Sequence, residues 1–127
     1  AFELRKPLDF ALMNEASKLI IGKKDFSCFS KSGTQTKTNI CNVTHAEWEY
    51  RNDHWVFTIK ADRFLRNMVR AIAGTLINIG TGMWEMEYLV ELIESKDRSL
   101  AGSSVPAKGL YLTKVNYNEQ IEELFVR

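Results

Sequence analysis

The sequence predicts an α+β fold, a mostly antiparallel sheet with helices packed on one of its faces. Three observations carry this. Apolar residues recur at helical spacing in three separate stretches, and three other stretches alternate apolar and polar residues with period two. Two of the alternating stretches are joined by Asn52-Asp53, a good tight-turn pair, so they form a hairpin. The expected order is α-α-β-β-α-α-β, with helices covering one sheet face. No repeat, low-complexity segment or Pro/Gly linker divides the chain, so residues 1–127 read as one domain.

From Pro7 to Gly22, Leu8, Leu12, Ala16, Leu19 and Ile20 fall at helical spacing, with proline at the start and glycine at the stop. Asp25 is placed to cap a short second helix carrying Phe26 and Phe29. Ser32 to Asn42 is polar and Thr-rich, an extended loop or edge strand. In Val43–Tyr50 the residues Ala46, Trp48 and Tyr50 face one way. In Trp55–Ala61 the residues Trp55, Phe57 and Ile59 do the same. Phe64 to Ile79 carries Leu65, Met68, Val69, Ile72, Ala73 and Leu76 on one helical stripe, ended by Gly80 and Gly82. A further amphipathic helix runs from about Glu85 to Glu94, with Met86, Leu89, Val90 and Ile93 inward and Glu87, Glu91 and Glu94 outward. Leu110–Tyr117 is a strand entered through the turn Pro106-Ala107-Lys108-Gly109. The tail Asn118–Arg127 reads as an acidic helix or a frayed end.

Composition narrows the class. Hydrophobic residues make up 45% and charged residues 26%, which excludes disordered, collagen-like and coiled-coil chains. The apolar runs are too short to span a membrane, and Arg5, Lys6 and Asp9 interrupt the N-terminus too early for a signal peptide. The sequence opens at Ala1 with no methionine, which fits a processed chain or one cut from something longer. Cys28 and Cys41 are expected reduced, in a cytoplasmic protein. The formal charge is only +1, but residues 1–70 are net basic (12 basic, 8 acidic) and residues 71–127 net acidic (5 basic, 8 acidic). This argues against binding nucleic acid by bulk attraction and does not exclude a local basic face.

One stripe points to such a face. Arg63, Arg66, Asn67, Arg70 and Gly74 project to one side of the helix expected over 64–79. Arg66 and Arg70 form a like-charge i,i+4 pair that weakens a helix by a few tenths of a kcal/mol, roughly, unless an anion offsets it. A solvated basic face with surface salt bridges explains the same stripe equally well. Metal and nucleophile readings are weak. The cysteines lie 13 residues apart with no CxxC, His45 and His54 flank a turn, and no GxSxG, P-loop or GxGxxG occurs. Trp48, Trp55 and Trp84 are expected in the core or on the sheet before they are base-stacking platforms.

Phe64-Leu65-Arg66-Asn67-Met68-Val69-Arg70-Ala71-Ile72-Ala73-Gly74 and Ala107-Lys108-Gly109-Leu110-Tyr111-Leu112 resemble segments of the tRNA pseudouridine synthase A family. So do Gly22-Lys23-Lys24-Asp25-Phe26 and Lys96-Asp97-Arg98, and all four occur in the family's order, from about Pro7 to Tyr117. The resemblance implies an isomerase that breaks the glycosidic bond of a uridine in the tRNA anticodon stem-loop and rejoins the base through carbon 5. It implies no metal or organic cofactor, and a homodimer. The family's catalytic aspartate lies in an Arg-Thr/Ser-Asp-x-Gly-Val-His setting, assisted by a tyrosine, both in the N-terminal half.

The sequence departs from the family there. Its aspartates are Asp9, Asp25, Asp53, Asp62 and Asp97, and none is followed by x-Gly. The chain thus resembles the C-terminal half alone and is expected to be inactive as it stands. By resemblance, Arg70 is the arginine that ion-pairs with the catalytic aspartate, and Leu110 is the aliphatic residue that packs under the extruded uracil. Lys108, Arg63, Arg66 and Asn67 are the candidate RNA contacts. A stand-alone RNA-binding module and a plain dimerisation domain remain the alternatives.

Overall fold

The computed structural model describes residues 8–29, 39–51, 54–65, 67–96, 110–115 and 120–126. Strands β1 (Gly22–Asp25), β2 (Ile40–Arg51), β3 (His54–Ala61), β4 (Leu110–Val115) and β5 (Gln120–Val126) form one sheet in the order β1-β2-β3-β5-β4. Every neighbouring pair is antiparallel. Helices α1 (Phe10–Ser17), α2 (Met68–Gly80) and α3 (Met86–Ser95) complete the fold, so the α+β class expected from the sequence is the one found.

Helix α1 begins where Asp9 accepts the Leu12 amide on its side chain at 3.0 Å. It is shorter than the stretch from Pro7 to Gly22. After Ser17 the chain tightens into a 3-10 turn over Lys18–Ile20, which rotates Leu19 out to solvent and leaves Ile20 buried. Gly22 does not stop a helix. It has φ +123°, which a side chain would resist, and it opens β1, a strand that the sequence pattern does not reveal. Asp25 caps as expected, but over a single 3-10 turn, Ser27–Phe29. Its carboxylate accepts the Ser27 amide at 2.9 Å and the Ser27 hydroxyl, while Phe26 and Phe29 go into the core.

The β2–β3 hairpin follows the expected register, with Trp48 opposite Phe57 and Arg51 opposite His54. Val43, Ala46, Trp48, Phe57, Ile59 and Ala61 are buried beneath α1 and α2. Trp48 stacks on Phe57 with centroids 4.8 Å apart, and Phe10 stacks on Trp55 at 3.8 Å, so these two tryptophans belong to the interior face. Tyr50, expected inward, is 58% exposed at the hairpin end, where the edge of Trp55 meets it. Strand β1 pairs with β2 only over Ile40–Val43. Past that point the Asn14 side chain takes the neighbour's place. Its amide nitrogen donates to the Trp48 carbonyl at 3.0 Å, and its oxygen accepts the Trp48 N–H at 2.7 Å.

Helix α2 buries Met68, Val69, Ala71, Ile72, Ala73, Leu76 and Ile79, each worth up to about 1.5–3 kcal/mol for its larger side chains. It meets α1 where Gly80 has no side chain: a Cβ there would stand 2.8 Å from Met13 Cγ. In α3 the buried residues are Leu89 and Leu92. Val90, expected inward, is exposed, because the helix turns its 89–92 edge to the core. The tail is neither helical nor frayed among residues 120–126. It is β5, hydrogen-bonded to β3 on one side and β4 on the other. Pairing along both edges overrides the weak strand preference of Gln120-Ile121-Glu122-Glu123. Of the stretch Ser32 to Asn42, expected as an extended loop or edge strand, residues 40–42 are the start of β2, while residues 32–38 and the turn at 106–109 lie outside the described residues.

Candidate functional site

The basic stripe does not form as the sequence predicts. Helix α2 starts at Met68, four residues later than expected, because Asn67 adopts a left-handed conformation with φ 68° that no helix continues through. The turn is closed by the Met68 amide on the Leu65 carbonyl at 3.1 Å, and Leu65 is buried as an anchor. Arg63 therefore lies ahead of the helix. Its guanidinium Nη1 donates to the Ile40 carbonyl at 3.2 Å, tying the exit of β3 to the start of β2. Arg66 and Lys108 lie outside the described residues. Gly74 is on α2 but buried, so it belongs to the core side of the helix. A close approach between helices is made at Gly80, beside Met13.

The later start changes the electrostatics of Arg70. It sits in the first turn of α2, half-buried, with no acidic residue in that turn and no side-chain cap from Asn67. A cation at a helix N-terminus opposes the positive end of the macrodipole by about 0.3–1 kcal/mol. Arg70 and the helix end both bring positive charge to this turn, which favours a carboxylate or phosphate set against it.

Leu110 opens β4 and stands opposite Leu124 of β5 in the register, followed by Tyr111 opposite Glu123 and Leu112 opposite Glu122. On the other side of β5, Phe57 stands opposite Leu124 and Ile59 opposite Glu122. Glu122 thus shares the helix-side face with Leu124, a place where a carboxylate is unexpected. It is half-buried, and burial raises its pKa above the ordinary glutamate value. Sequence reasoning passed over it, since two adjacent glutamates hide the period-two pattern. Taking Gln120, Glu122 and Leu124 as one face is the signal that finds it.

The other titratable groups are engaged elsewhere. Asp9 caps α1, Asp62 accepts the Asn42 amide at 2.9 Å, and Asp25 holds Ser27 with Lys96 Nζ at 3.9 Å. Asp53 and Asp97 lie outside the described residues. Both cysteines are free and buried, and burial pushes the Cys41 thiol up to about 11, far from a thiolate at neutral pH. His45 lies 3.7 Å from Glu47 on the face of the sheet away from the helices. Among the described residues no group of three histidine, cysteine or acidic side chains is placed to hold a metal, and no helix is long and apolar enough to cross a membrane.

A family model described as tRNA pseudouridine synthase matches residues 16–118. The chain belongs to the tRNA pseudouridine synthase family. Its similarity to proteins named tRNA pseudouridine synthase A extends further along the chain. It is 50% identical to that of Parabacteroides distasonis over 120 residues, 94% of this chain and 48% of the relative. It is 47% identical to that of Bacteroides fragilis over 123 residues, 96% of this chain and 49% of the relative. With that of Porphyromonas gingivalis the identity is 53% over 114 residues, or 88% and 45%. The chain spans about half the length of the curated relatives it matches. Of the candidate residues, Arg70 lies in the first turn of α2 and Leu110 at the start of β4.

Proposed function

We propose that this chain is the C-terminal half of a tRNA pseudouridine synthase, an isomerase that converts uridine to pseudouridine in the tRNA anticodon stem-loop. The N-terminal half supplies the catalytic aspartate and its assisting tyrosine. The observation that carries the reading is Arg70, a guanidinium added to the positive end of α2 in a member of this family. A carboxylate entering a closed pocket tends to take up a proton, and this paired positive field keeps it ionised. The aspartate can then act at the ribose while the bond from C1′ to N1 breaks. The base turns, C5 bonds to C1′, and the C5 proton leaves. Leu110 offers the apolar floor for the extruded base, and Lys108, Arg63, Arg66 and Asn67 contact RNA.

The three described aspartates, each bonded to the backbone, support a chain inactive by itself. The full polypeptide works in the cytoplasm as a homodimer of single-domain C-terminal halves joined to their N-terminal halves, with no cofactor. The test is tritium release from tRNA labelled at uridine C5 by the full-length polypeptide carrying this chain. Arg70→Ala is expected to lower release by at least about 100-fold, the loss of a charge partner in a closed site, with tRNA binding kept. No release from the unaltered polypeptide, with binding intact, overturns the isomerase reading and leaves an RNA-binding module.

A further inference from the structure

Glu122 is the one half-buried carboxylate on the helix-side face of the sheet among the described residues. Its register neighbours on β3 and β4 are Ile59 and Leu112, and Leu124 lies two residues along its own strand. Ile59 and Leu124 are fully buried. Burial raises the pKa of its carboxyl group above the ordinary glutamate value. A half-buried carboxyl group among apolar neighbours is stabilised by any donor that reaches it.

Its position says which donor. Leu110 stands opposite Leu124, so Glu122 occupies the diagonal register position to Leu110. Diagonal neighbours on paired antiparallel strands are about 7–8 Å apart, within reach of a long side chain. A flat base resting at Leu110 therefore presents an edge at the distance a glutamate side chain covers. Uracil has one ring donor, N3–H, flanked by two carbonyl acceptors. Cytosine has an unprotonated acceptor at N3. A carboxyl oxygen accepts the uracil proton and meets a lone pair on cytosine.

We propose that Glu122 is a specificity-determining residue of the uridine site, its carboxyl group accepting the N3–H of the uracil held at Leu110. This rests on the isomerase reading above. A site built around a hydrogen bond rejects the partner that lacks it, because its own polar group is then left unpaired. The discrimination falls on uridine against cytidine, and the remaining tRNA contacts are unaffected.

The test uses the full-length polypeptide carrying this chain and two transcripts, one with uridine and one with cytidine at the modified position. Unaltered protein is expected to bind the uridine transcript at least about tenfold more tightly, the worth of one hydrogen bond to a carboxylate. Glu122→Leu removes the acceptor and brings the two affinities together, chiefly by weakening the uridine transcript. Glu122→Gln keeps the uridine affinity through its amide oxygen, and tightens the cytidine transcript because the amide can turn an N–H to N3. An affinity ratio unchanged in both variants overturns the inference and assigns Glu122 to fold stability or to a cation from the N-terminal half. So does an unaltered protein that does not discriminate. Tritium release that still depends on Arg70 in that event leaves the isomerase reading standing, whereas its absence in unaltered protein removes that reading on its own.

Discussion

Ile59 and Glu122 are register partners on one face of one sheet, yet they belong to differently finished regions. The β2–β3 side is closed. Trp48, Phe57 and Ile59 are covered by α1 and α2, and the exposed edge of β2 is occupied by Asn14. One strand further, the same face carries the half-buried carboxyl group of Glu122. The closed region is finished as an apolar core, leaving only Trp48 Nε1 buried without a partner among the described residues, whereas the β5 side carries a half-buried carboxyl group on the same face. The pair locates the boundary between scaffold and working surface within a single strand spacing.

Truncating the closed side should cost the most. Phe57→Ala removes a fully buried ring from beneath Trp48, and the expected loss is about 3–5 kcal/mol, read from the urea midpoint of unfolding. Asn14→Ala comes next, at about 1–3 kcal/mol, since the Trp48 N–H and C=O both lose their partner. If Asn14→Ala left the midpoint unchanged, the Asn14 side chain would not close the edge of β2 at Trp48. On the working side the effect is smaller and has a sign. Burial disfavours the charged form of Glu122, so the folded chain holds that proton to higher pH than the unfolded chain. Its contribution is fully present below the unfolded value and is lost as pH rises through the raised folded value. Glu122→Gln should thus gain over unaltered protein at about pH 7 and match it at about pH 4, in paired midpoint measurements. Asp25 acts in the opposite direction. Burial pushes its pKa up, but the hydrogen bonds from Ser27 and the charge of Lys96 outweigh that and hold it below the ordinary aspartate value. Its stabilisation is lost as pH falls, and both chains of the comparison share it.

Much of the closed side was legible in the sequence. The hairpin strands alternate strictly, and the α2 stripe of Met68, Val69, Ile72 and Leu76 is buried as its spacing demands. What escaped was decided by long-range pairing. Gly22–Asp25 is too short and too polar to announce a strand, and it exists because Val43 to Ile40 pairs with it. The tail became β5 because two strands bracket it. The candidate site was half legible. Motif resemblance picked out Arg70 and Leu110, but the helical stripe that linked Arg63, Arg66 and Asn67 to Arg70 failed at one backbone angle, φ 68° at Asn67. Helix propensity counts side chains and does not see a turn that a buried Leu65 imposes.

Asn14 has a consequence for the protein in a crowded solution. An open strand edge is a template on which a second chain can lengthen the sheet, and successive additions lead toward fibrils. At Trp48 any such chain must first displace a side-chain amide that already satisfies both backbone groups. The helix that roofs the core thereby also guards the flank of the sheet at Trp48.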